Sequence, residues 1–99
     1  MTLAEFKATL STGRPPEHLP ALLQALWYDA KGEWHAAHNI AQDDHTVNGS
    51  WVHAYLHRKE DDNGNAAYWY SRARRPVPEV TLDDEWAELT TAFLKALLT

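Results

Sequence analysis

Apolar residues recur along this chain at intervals of three and four, and no stretch alternates with a period of two. That pattern predicts amphipathic helices and argues against half-buried strands. Thr2 with Glu5 three positions on reads as a capping box, and Leu3, Phe6 and Leu10 form the apolar stripe of a short first helix. Gly13 stops it and Pro15-Pro16 opens a linker. Pro20 suits the first turn of a second helix, ALLQALWYDAK, which Gly32 ends. EWHAAHNIAQ is the third helix. DDHTVNGS reads as a loop, with Asn48 or Ser50 capping a fourth helix, WVHAYLHRKE. The next polar stretch, DDNGN, is a turn, AAYWYSRARR is the fifth helix, and RPVPEV breaks the chain. Thr81 opens a last helix whose Leu82, Trp86, Leu89, Phe93 and Leu97 fall on one side. The expected fold is all-α.

The chain also repeats. Shifted by 29 residues, Leu22 falls on Trp51, Leu23 on Val52, Ala25 on Ala54, Leu26 on Tyr55 and Trp27 on Leu56. The register persists across the turn, where Ala37 falls on Ala66, Ile40 on Trp69 and Ala41 on Tyr70. This predicts two tandem antiparallel hairpins, about residues 20–48 and 49–78, within one domain over 1–99. Two repeats are too few to stack alone. The N-terminal helix and the helix over about 82–98 are therefore expected to cap them, and a homodimer could do the same.

Ala66-Ala67-Tyr68-Trp69-Tyr70-Ser71-Arg72-Ala73 resembles the second helix of a Sel1-like repeat, and Ala66, Tyr70, Ala73 and Pro78 are compatible with a tetratricopeptide second helix. Tyr28, Gly32 and Ala37 match the tetratricopeptide spacing of aromatic, turn glycine and small residue. The resemblance covers about residues 20–78. The period of 29 is shorter than the roughly 34 residues of a tetratricopeptide, and Asp61 stands at the turn-glycine position. The resemblance implies a stack of helical hairpins with a binding role. It brings no catalytic residue.

Composition narrows the function. The 44% hydrophobic content, with five Trp, supplies one small core, and the absence of Cys excludes disulfides and thiolate chemistry. MTLAEFKATLSTG has neither the basic nor the apolar region of a signal peptide, and no apolar run would span a bilayer, so a cytoplasmic location and no membrane partner are expected. The net charge is −5, with acidic clusters at Glu60-Asp61-Asp62 and Asp83-Asp84-Glu85, which opposes nucleic acid as a partner. Arg72, Arg74 and Arg75 complement the dipole at the end of the fifth helix.

His53 and His57 carry the candidate chemistry. With Glu60 they lie opposite the centre of the apolar arc of WVHAYLHRKE, and their register mates are Gln24, Tyr28 and Lys31. Tetratricopeptide registration through Ala66 would instead turn both histidines towards packing positions. Periodicity favours a recognition stripe for a protein or peptide partner, made of Gln24, Tyr28, Lys31, His53, His57 and Glu60. The alternative is a small-molecule or metal-binding cleft at His53 and His57, with a minimal enzyme as its extension. His35, His38 and Glu60 are the further ligands such a cleft could draw on. No H-E-x-x-H pattern, nucleophile elbow or glycine-rich phosphate loop is present. The expectation is a binding module rather than an enzyme, with no catalytic residue, metal set or cofactor assigned. The Tyr68–Arg72 face is the next interface candidate.

Overall fold

The computed structural model describes residues 1–98, so residue 99 of the expected domain lies outside it. Among the described residues the chain is all-helical: α1 Leu3–Ala8, a 3-10 turn Thr9–Ser11, α2 Ala21–Ala30, α3 Trp34–Gln42, α4 Val47–Lys59, α5 Asn63–Arg72 and α6 Leu82–Ala96. The Thr2–Glu5 capping box forms as its spacing predicts. Thr81 caps α6 through the Asp84 amide, and Asp83, Asp84 and Glu85 sit in its first turn, where carboxylates favour the helix dipole.

Helices α2 and α3 pack chiefly on each other, as do α4 and α5, while α3 also lies against α4. The two short turns share one hydrogen-bond pattern. Glu33 donates its amide to Tyr28 O and Gly32 to Asp29 O, both at 2.9 Å. Twenty-nine residues on, Asp62 donates to His57 O at 2.9 Å and Asp61 to Arg58 O at 3.1 Å. Each is a paired 6→1 and 5→2 closure around a left-handed residue, Gly32 at φ 82° and Asp61 at φ 64°.

Two helix starts depart from the sequence reading, and α5 also ends at Arg72, three residues short of the expected AAYWYSRARR. Helix α4 begins at Val47, not Trp51, because Thr46 rather than Asn48 or Ser50 is its cap and accepts from the Gly49 amide at 3.1 Å. Asp44 fixes that cap, accepting from the Thr46 hydroxyl at 2.5 Å and its amide at 3.0 Å. Gly49 lies inside this helix at a point where a Cβ would collide with the backbone and side chain of Asp44. Helix α5 likewise begins three residues early, at Asn63, with Asp62 as its cap.

The core contains Phe6, Leu23, Leu26, Trp27, Val52, Tyr55, Leu56, Tyr70 and Leu89, with Ala25, Ala37, Ala54 and Ala66 where helices approach closely. Helix α6 packs across α1, α2 and α4. Its Trp86 stacks on Phe6 with centroids 5.9 Å apart and donates Nε1–H to Leu26 O at 2.9 Å. The adjacent Glu85 is 1% exposed, although the sequence places it in an acidic run. It accepts from Arg58 Nη1 at 2.8 Å, from the Tyr70 hydroxyl at 2.6 and 2.7 Å, and from Trp51 Nε1 at 3.3 Å. Buried Asp29 is met in the same way by the Tyr55 hydroxyl at 2.8 Å and Lys59 Nζ at 2.9 Å. Burial and these carboxylates push the Tyr55 and Tyr70 phenols well above their usual range, so both remain hydrogen-bond donors.

Candidate functional site

His53 and His57 occupy successive turns of α4 on the side that meets α3 and α5. They are 6% and 7% exposed, so the packing register wins over the polar-stripe reading. The reason lies in their neighbours. The His53 ring stacks on Trp69 of α5 at 4.0 Å, and His38 of α3 stacks on Trp34 at 4.8 Å. Trp34 is itself held by Nε1–H donation to Leu56 O at 2.8 Å. Imidazole faces thus take the place of aliphatic packing at the junction of three helices.

The polar edges of these rings converge. His38 Nε2 and His53 Nε2 are 3.1 Å apart, so one donates and the other accepts. One ring nitrogen from each of His38, His53 and His57 lies within 4.8 Å of the others. Glu60 Oε1 is 2.7 Å from His57 Nδ1, and the Asn65 amide is 3.5 Å from His57 Nε2. Together these contacts assign the proton to Nδ1, which donates to Glu60, and leave the Nε2 lone pair as acceptor. A carboxylate behind a histidine fixes the tautomer and orientation that a metal ligand requires.

Burial is the main cause that holds His53 down at about 4, with repulsion from His38 and His57 adding to it. Burial also lowers His38; the neighbouring His57 and His35 reinforce the shift and Glu60 opposes it. His53 is therefore neutral at pH 7, the form in which imidazole ligates metals. The His38–His53 spacing also fits. Two nitrogens about 2.0–2.1 Å from a tetrahedral zinc ion stand about 3.3 Å apart, close to the 3.1 Å between His38 and His53.

The structure brings His53, His57 and Glu60 of the expected stripe together and adds His38. It directs the α2 half elsewhere. Gln24 Nε2 donates to Leu19 O at 2.7 Å, and Lys31 Nζ to Leu10 O at 2.7 Å and Thr12 O at 3.3 Å. Both are turned onto the segment that precedes α2. Tyr28 lies edge-on to Trp27 at 5.4 Å. His35, the other histidine considered as a ligand, is exposed and outside the cluster. Trp34, Trp69 and Asn65 were not singled out from the sequence for this site. The signal for Trp69 and Asn65 lies in the alternative register of α4, which turns the two histidines towards packing positions.

No protein-family model, curated protein or solved structure matches the chain.

Proposed function

We propose that the chain is a small helical module that binds a divalent transition-metal ion through His38, His53 and His57. The convergence of three ring nitrogens within 4.8 Å of one another, two of them on buried histidines, carries the reading. Three imidazoles with no thiolate suit Zn²⁺, Co²⁺, Ni²⁺ or Cu²⁺ and disfavour Mg²⁺ and Ca²⁺, which prefer oxygen. Glu60 supports the set from behind His57. The bound ion would replace the proton shared by His38 and His53 and tie α3 to α4.

The same reading includes the architecture that the sequence repeat implies: two tandem hairpins, α2–α3 and α4–α5, of tetratricopeptide or Sel1-like type, capped by α1 and α6. The matching turn closures at a 29-residue shift support it. A protein or peptide partner remains a second reading. It draws on Tyr68, 53% exposed, with the Arg72 guanidinium 5.8 Å from its ring centre. Such a cation–aromatic pair can anchor an interface.

The test is calorimetric titration of chelator-treated protein with Zn²⁺, paired with thermal melting. One ion per chain is expected. At a free concentration about 100 times the Kd the ion adds about 2.7 kcal/mol of stability. His38→Ala, at a partly exposed position, removes the binding and leaves the fold. Absence of heat and of any melting shift in the wild type would refute the metal reading.

A further inference from the structure

We propose that the α4–α5 turn is the loading mouth of the histidine site. His57, Glu60 and Asp62 first capture a divalent transition-metal cation at the surface, and His57 then hands it to His38 and His53. The inference rests on the metal-binding reading and adds the route by which the ion arrives.

Two ligand sets share one residue. Each of His57, Glu60 and Asp62 offers an atom within 4.8 Å of the others, and His57 also belongs to the inner trio. The outer carboxylates are exposed, while His53 and His57 are buried. His38 is partly exposed, but two of the three inner ligands are buried, so an ion must shed most of its water to bind them, and exposed carboxylate oxygens can replace that water stepwise. The Asn65 amide links the two levels, 3.4 Å from Asp62 Oδ2 and 3.5 Å from His57 Nε2.

Asp62 serves as the α5 cap, but turn geometry does not explain His57 and Glu60. The α2–α3 turn makes the same closure with Lys31, Gly32 and Glu33 where the α4–α5 turn has Glu60, Asp61 and Asp62. At the places of His57 and Asn65 the first hairpin has Tyr28 and Ala36. The backbone and a carboxylate at the place of Asp62 (Glu33) are common to both turns, while the histidine and Glu60 belong to one. The nearest cations along the chain are also engaged elsewhere: Arg58 pairs with Glu85 at 2.8 Å, and Lys59 with Asp29 at 2.9 Å. The mouth therefore keeps a local negative charge, which raises the encounter rate of cations.

The experiment is stopped-flow mixing of chelator-treated protein with Ni²⁺ at low ionic strength, following the quenching of tryptophan emission. Asp62→Asn removes one charge but keeps a good helix cap. Glu60→Gln keeps an acceptor for His57 Nδ1. Asp61→Asn is the control, because it removes an adjacent charge from outside the ligand set, and Asn tolerates the left-handed backbone there. Asp62→Asn and Glu60→Gln should each slow uptake at least about threefold, with Asp61→Asn well below that. Wild-type loading rates in both variants would overturn the proposal. So would an equal slowing by Asp61→Asn, since attraction without capture would then suffice. A wild type that takes up no Ni²⁺ and no Zn²⁺ refutes the metal reading itself, which is a separate outcome.

Discussion

Acidifying the metal-free protein should destabilise it through His53. The imidazole is 6% exposed, stacked on Trp69 and placed beside two other histidines, and it titrates at about 4. In the unfolded chain it titrates near 6.5. Between these values the unfolded state binds the proton more readily, so stability falls as pH drops from about 6.5 to about 4 and levels off below. At pH 4.5 the loss from this one group is about 2–3 kcal/mol, and the full difference is worth about 3 kcal/mol. A domain of this size has a total stability of roughly 5–15 kcal/mol, so the loss is large. His38 shifts in the same direction and adds to it. The measurement is urea unfolding followed by far-ultraviolet circular dichroism at pH 7.5 and 4.5, with chelator present throughout. Carboxylates also titrate in this range, so His53→Gln supplies the comparison. It shifts stability at both pH values by lost stacking, but its pH-dependent loss should be smaller than the wild type's by about 2 kcal/mol. Equal losses in the two proteins would show that His53 is not held neutral by its surroundings.

Three further outcomes follow from the packing. Trp86→Ala should cost about 3–5 kcal/mol in denaturant unfolding, because the indole is 8% exposed, stacks on Phe6 and satisfies Leu26 O; a loss below about 1 kcal/mol would contradict its role in seating α6. Glu85→Ala should cost about 3–5 kcal/mol by stranding Arg58, Tyr70 and Trp51, and the additional Arg58→Leu change should recover part of that, which a double-mutant cycle measures. Gly49→Ala should lower stability by about 1–3 kcal/mol although alanine favours helix, because its methyl meets Asp44; an unchanged or raised melting temperature would mean the loop yields freely.

Regular helices were legible because their apolar spacing is a local property. The capping box at Thr2 and the Thr81 cap formed as their residues suggested. The start of α4 was hidden for a physical reason. Asn48, Gly49 and Ser50 look like loop residues until Asp44 folds back beside Gly49 and holds the Thr46 cap. Glu85 was hidden differently. Its neighbours in sequence are acidic and suggest solvent, whereas its partners come from α4 and α5, 15 to 34 positions away. At the candidate site the sequence supplied two competing registers for α4. Counting apolar residues on that helix placed His53 and His57 towards solvent, because a histidine scores as polar even where an indole can cover its face. His38 was legible only as one of two histidines on the preceding helix. Which of them faced α4 depended on the rotation of α3, fixed by the Trp34 bond to Leu56 O.

The bonds made by α6 also set an order of events. Trp86 donates to Leu26 across 60 positions, and Glu85 is the common acceptor for Trp51, Arg58 and Tyr70. The turns within α2–α3 and α4–α5 close over a few residues and can form early in synthesis. The faces of α2 and α4 that await α6 cannot be covered until Leu82–Ala96 has left the ribosome. During that interval the nascent chain exposes apolar side chains, the kind of surface on which chaperones and aggregation compete. Full burial of those faces therefore waits for α6, which brings one carboxylate and one indole to them together.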